Sequence, residues 1–345
     1  MRAARRVARF LVRSYAVRRV AIIVPQVFGI TLLVFVLVRL FPGDPAYLFA
    51  GPTASPETVE AIRDDLGLND PIYVQYWNYL VNLAQGDMGT SLVTSQPVSS
   101  DILARFPATF ELITFALLIC LLIGVPLGAL GARNPGGPID YVTRIYSQLA
   151  GSLPDFWWGL ILILVVFVTL GIGAAPVGRL DIGQAPPQTI TGLYTVDALL
   201  SADWSAFRSA LSHLLLPGFT LAFVYGAPIV KQMRTGMASI LDSPYLAYAT
   251  ICGLSSWMLF RYAFRNAMLP ATTMAGLTYA YLIGAAVVVE TVFSWGGLGQ
   301  YAVQAITNSD YAAVSGTVLA TTIYALLIYL ILDFLYVAID PRIRY

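Results

Sequence analysis

One feature leaves this chain little choice of fold: long runs almost free of charge. Residues 20–41, 110–130, 146–170, 211–230, 270–293 and 314–337 each reach the roughly 20 mostly apolar residues that a helix needs to cross a bilayer. Hydrocarbon offers no partner to a backbone N–H or C=O, so a run of this length enters a membrane as a helix, whose bonds are internal. Only 11% of the residues are charged, against about 25% in soluble domains. The expected fold is an all-α integral membrane protein with six transmembrane helices. Pro25 and Gly29 are admissible in the first run, and Arg39 near its far end can snorkel to the headgroups.

Six spans put both termini on one side, and the basic residues say which. One side carries Arg2, Arg5, Arg6, Arg9, Arg13, Arg18, Arg19, Arg133, Arg144, Lys231, Arg234, Arg261, Arg265, Arg342 and Arg344. The other carries Arg39, Arg63, Arg105, Arg179 and Arg208. The positive-inside rule makes the first side cytoplasmic. Residues 1–19 lack the apolar core of a signal peptide. Val7, Phe10, Leu11 and Val17 recur among arginines at roughly helical spacing, which suits an interfacial helix; a frayed basic tail is the alternative. After the first span, residues 42–106 form a large extracytoplasmic subdomain. Ser55 opens one helix there, and Tyr73, Tyr76, Trp77 and Leu80 mark one apolar face of another. Residues 107–345 make a core of five further spans, with a cytoplasmic segment over 240–269.

No energy source is visible. A phosphate-cradling loop needs Gly-x4-Gly-Lys-Ser/Thr, and the single lysine, Lys231, stands in IVKQM with no glycine before it. Cys120 and Cys252 are too far apart in sequence to suggest a metal motif, and His213, the one histidine, reads as a packing or interfacial residue. No catalytic or metal-binding residues are assigned. The net charge of +1 gives no sign of a nucleic-acid partner. Charges inside spans are costly, so they usually face protein or water. Asp155, in SLPDFWWG, falls about ten residues into the third run, roughly 15 Å deep at 1.5 Å per residue. Either it lines an aqueous path or it pairs with a neighbouring helix at the break made by Pro154. Glu290 ends the fifth run and belongs either to an outer gate or to the headgroup level beside Trp295.

The segment 245–270, YLAYATICGLSSWMLFRYAFRNAMLP, is helix-forming yet lies between spans. Residues 244–251 form a first helix stopped by Gly253, and Ser255 or Ser256 caps a second that carries Arg261 and Arg265 on one face. Pro270 then opens the fifth span. Two short helices joined to two spans make a knob through which a partner's motion can enter the bilayer.

Nearly the whole chain resembles the B-type permease subunits of bacterial dipeptide/oligopeptide/nickel ABC importers. The stretches that carry the resemblance include RRVAIIVPQVFGITLLVFVLVRLFPGDPA, LGLNDPIYVQYWNYL, GDMGTSL, SLPDFWWG, HLLLPGFTLAF, RNAMLP, ETVFSWGGLG and DPRIRY. The resemblance implies a permease in the bacterial inner membrane that hydrolyses nothing itself. It implies a homologous second permease, two cytoplasmic ATPases that hold ATP and magnesium, and an extracytoplasmic binding protein. It also implies that 245–270 is the ATPase-coupling segment of pattern Glu-Ala-Ala-x3-Gly, with Tyr245, Ala247, Tyr248, Ala249, Gly253, Leu254, Arg261 and Arg265 at the contact. Ala247 departs from that pattern's acidic start, Cys252 stands where lysine is common, and the spacer is one residue short. A self-sufficient carrier or channel is the competing reading, but no half-to-half repeat supports it.

Overall fold

The computed structural model describes residues 21–37, 39, 45–51, 53–65 and 67–339. The interfacial helix expected over 1–19, the ends of the first span and the terminal DPRIRY lie outside these residues. Among the described residues the chain is almost all helix, with one isolated bridge between Thr90 and Pro97 and no strand. Among the described residues four helices are long and apolar enough to cross a membrane, and one bent pair makes a fifth candidate. The chain divides into two compact units, residues 1–104 with 301–331, and residues 105–300 with 332–345.

The first unit begins with α1 (Ala21–Leu37), an apolar helix. Short helices α2 (Pro45–Ala50) and α3 (Pro56–Asp65) follow, then α4 (Ile72–Ala84). Ser55 accepts from Thr58 N at 3.2 Å, as a capping serine should. The aromatic face of α4 is turned differently from expectation. Tyr76 packs edge-on against Phe28 and Phe35 of α1 and shares a 3.1 Å hydrogen bond with Thr31. Tyr73 and Trp77 stay exposed. The unit also holds the start of α5 (Val98–Arg133), the end of α13 (Leu298–Thr307) and most of α14 (Tyr311–Ile339). Buried Asp310 accepts from Ser91 Oγ at 2.5 Å, and Asp101 accepts from Tyr301 at 3.1 Å and Thr94 at 2.5 Å. Gly316 lets α14 approach α5, since a Cβ there would lie 2.5 Å from Val98 Cγ1.

The second unit is built on α12 (Ser256–Val292), a single 37-residue helix. The expected boundary at Pro270 is absent. Proline removes one internal bond, but α12 continues through it, as membrane helices with packed neighbours often do. Ala263, Ala267, Ala271 and Ala275 recur every four residues and are all buried. They form the core with Ile229, Met233 and Met237 of α10 (Ala227–Leu241). Small residues at these positions let the two helix backbones approach closely. α9 (Trp204–Tyr225) passes into α10 at Gly226, where a Cβ would meet Ala222 O at 2.6 Å and Tyr146 Oη at 2.9 Å. On α5, a Cβ at Gly128 would lie 2.6 Å from Val230 O and 2.9 Å from Met233 Cβ.

The third expected span is broken. α6 (Pro138–Ala150) and α7 (Asp155–Leu162) meet at 108° across residues 151–154. Pro154 has no N–H to continue a helix, and its ψ of 152° turns the chain into a new one. α7 then widens into π-type winding over Ile163–Thr169, where Leu170 N reaches Val165 O at 3.0 Å.

Replacing Gly128 by leucine should destabilise the protein by about 1–3 kcal/mol or more, as overpacking does. A melting curve of detergent-extracted protein checks this. Gly284→Ala, at an exposed helix position with nothing within 4 Å, is the control expected to leave the melt unchanged or raise it slightly.

Candidate functional site

The segment expected to take a partner is α11 (Pro244–Ile251) together with the start of α12. Only Asp242 and Ser243 separate α10 from α11, and their amides bond back to Ala238 O and Ile240 O, each at 3.0 Å. Leu246 is buried in the α10–α12 core and fixes α11 to it. Gly253 takes φ +85°, a conformation that side chains disfavour, and donates to Thr250 O at 3.0 Å. Ser255 caps α12 by accepting from Met258 N at 3.4 Å. The outer face of this corner is apolar and bare. Tyr245, Tyr248, Ile251 and Trp257 are 53%, 69%, 83% and 67% exposed. Ala247, Gly253, Arg261 and Arg265 are also exposed, while Ala249 and Leu254 are half-buried. Tyr248 and Trp257 are amphipathic rings of the kind that anchor protein contacts.

Asp155 does not lie ten residues down a straight helix, because the break places it in the first turn of α7. The break removes the straight helix on which the depth of roughly 15 Å was counted. Its carboxylate is half-buried, accepts from its neighbour Phe156 N at 2.9 Å and receives Tyr225 Oη at 3.4 Å. The indole N–H of Trp158, one turn on, is buried without a hydrogen-bond partner.

Glu290 is wholly buried. Oε1 accepts from Thr109 Oγ1 at 2.6 Å and Oε2 from Gln300 N at 3.1 Å, while Leu298 N donates to Thr109 Oγ1 at 2.8 Å. Trp295 Nε1 donates to Ala108 O at 2.9 Å. Glycine is needed beside it, since a Cβ on Gly297 would lie 2.4 Å from Glu290 Oε1. The carboxylate ties the turn after α12 to α5.

Sequence reasoning missed Glu111, two residues into its second span. It is 6% exposed and meets Arg179 Nη2 at 2.6 Å, and Thr195 N and Oγ1 at 2.8 and 2.5 Å. Arg179 also lies 3.6 Å over the Tyr194 ring. The connection over 173–203 is thus pinned to α5. Asp197 of α8 (Tyr194–Leu200) pins its far side. Burial opposes that carboxylate's charge, but the Thr191 hydroxyl and the amides of Thr191, Ile190 and Gly192 outweigh it and hold the pKa low.

A second feature was invisible in the sequence. The bare face of α12 runs through Tyr262, Asn266, Leu269, Thr273, Leu277, Tyr281, Gly284, Val288 and Thr291, at steps of three or four. Asn266, Thr273, Tyr281 and Thr291 make this stripe mixed in polarity, and Tyr281 is 68% exposed. The Asn266 amide and the Thr273 and Thr291 hydroxyls bond back to their own helix, so the stripe suits water or a protein partner as well as lipid. Only the packing of the opposite, alanine-lined face shows which residues form it.

Residues 124–345 match the family described as binding-protein-dependent transport system inner membrane component, and residues 7–113 match its N-terminal family. A probable D,D-dipeptide transport system permease protein of Escherichia coli is 42% identical over 91% of this chain and 93% of its own. A di/tripeptide transport system permease protein of Pseudomonas aeruginosa is 38% identical over 96% of this chain and 99% of its own. An oligopeptide transport system permease protein of Bacillus subtilis is 36% identical, again over 96% and 99%.

Glu290→Ala should cost about 1–3 kcal/mol by leaving Thr109 and the Gln300 amide without their acceptor. Thermal melts read this directly, and Glu290→Gln, which keeps an acceptor oxygen, should lose less.

Proposed function

Because the chain belongs to the inner-membrane components of binding-protein-dependent transport systems, we propose that it forms half the pore of an ATP-driven importer of short peptides and receives the driving motion at α11. One observation carries the reading: the exposed aromatic corner at α11 is fixed by Leu246 to the same helix pair whose far face is the mixed polar stripe of α12. A push on the corner therefore moves a candidate pore wall as a body. The peptide class comes from the relatives, whose names specify dipeptides, di- and tripeptides and oligopeptides.

In this reading six helices span the bacterial inner membrane, with both termini, α6 and α11 in the cytoplasm. Residues 42–106 form an extracytoplasmic subdomain on the side of the binding protein. A homologous second permease completes the pore, and two ATPases, with their own ATP and magnesium, dock on Tyr245, Tyr248 and Trp257. The apolar character of that corner, with alanine at position 247, calls for an apolar groove on the ATPase. Asp155, at the start of α7 beside Tyr225, is the charged group placed to meet the cationic amino end of a peptide on its way inward.

Three measurements test this. In a Cys252→Ser background, Tyr248→Cys should cross-link to an ATPase subunit in the assembled transporter. Gly253→Val, which forces a β-branched residue to φ +85°, should abolish uptake while leaving membrane insertion intact. Asp155→Asn should cut peptide uptake about tenfold or more, the loss of one desolvated charge contact; unchanged uptake of every peptide removes Asp155 from the path.

A further inference from the structure

The packing at the basic end contains one polar pin that neither the coupling surface nor the stripe explains. Asp140, on the first turn of α6, is 1% exposed. Its Oδ2 accepts from Gly136 N at 2.9 Å and from Arg144 Nη2 at 2.8 Å, and its Oδ1 is bonded by Arg234 Nε of α10. The two arginines are not equivalent. Arg144 lies one turn along the same helix and is 57% exposed, so water screens it. Arg234 is 22% exposed and comes from another helix. Parting Asp140 from Arg234 would leave the buried carboxylate with only Gly136 N and the solvent-screened Arg144, so the two helices resist separation.

The positions of the partners give the pin a direction. Arg234 sits on α10, which runs into α11 across two residues and shares its core with α12. Asp140 sits on α6, which runs into the break at 151–154 and so into α7 with Asp155. Close packing keeps the surroundings stiff, since a Cβ at Gly131 would lie 2.9 Å from Thr143 of α6. Tyr146 of α6 also donates to Phe223 O of α9 at 2.7 Å.

We propose that Asp140 is a positioning residue for transport. Through Arg234 it takes up the displacement of α10 and α11 and passes it to α6, and so to the break that sets Asp155. Asp140 touches neither cargo nor nucleotide. The proposal rests on the coupling reading above.

The test uses the complete transporter with its binding protein in proteoliposomes, measuring peptide uptake and ATP hydrolysis in parallel. The neutral double variant Asp140→Asn with Arg234→Gln removes both charges at once and leaves no buried ion unpaired, so it is the variant that folds. It should assemble with its ATPases and hydrolyse ATP within about twofold of the unmodified transporter, while uptake per ATP falls at least fivefold. Single Asp140→Asn, which leaves Arg234 without its carboxylate, should fall further. An unchanged uptake-to-ATP ratio in the neutral double variant overturns the proposal. So does a parallel loss of uptake, hydrolysis and assembled yield, which would make the pair scaffold only. Failure of the coupling reading shows elsewhere, as absence of the Tyr248→Cys cross-link in a chain whose Asp140 is intact.

Discussion

The second unit depends on how closely α10 and α12 approach. Four alanines on α12, each a turn from the next, let Ile229, Met233 and Met237 of α10 lie against its backbone. Small side chains at the contact permit this close approach, and the apolar side chains of α10 are buried by it. Larger residues at those positions would push the helices apart and loosen Leu246, which anchors α11 to the same core. Everything the chain is proposed to do requires that α10, α11 and α12 move as one body.

Polar pins then fix what is attached to that body. Glu290 with Thr109 ties one end of α12 to α5, and Arg179 with Glu111 ties the connection over 173–203 to α5 nearby. At the basic end, Asp140 with Arg234 ties α6 to α10. Each pin is a buried carboxylate with at least two donors, the arrangement in which a buried charge is tolerable. Asp140 and Glu290 stand near helix ends and Glu111 inside α5, and the directional bonds of all three set angles that apolar packing leaves loose.

Much of this was legible in the residues. Uncharged runs announced the spans, and the proline, glycine and serine at positions 244, 253 and 255 announced the corner at α11. Two failures have plain physical causes. Hydropathy cannot tell a straight span from a bent pair, so the 108° break at residues 151–154 shifted the expected place of Asp155. Proline reads as a boundary, yet packing against α10 carries α12 through Pro270. The pins were hidden for a third reason. Asp140 and Arg144 are a visible pair four residues apart, but Arg234 is 94 residues from Asp140, and Glu290 is 181 from Thr109. No local pattern predicts such partners. Glu111 left a trace, as an unexplained acid just inside an apolar run, and Glu290 left one near the end of another.

The central claim is that the proposed coupling corner at α11 and the stripe-bearing helix α12 are one rigid piece. Spin labels at Tyr248 and Leu277, one on the corner and one along the exposed stripe, measure this in the working transporter. The account predicts the same distance distribution in the nucleotide-free and ATP-bound states, even as the label at 248 moves relative to the opposing permease. A shift of several ångströms between positions 248 and 277 on ATP binding would show that the corner swings independently of α12, and would contradict it.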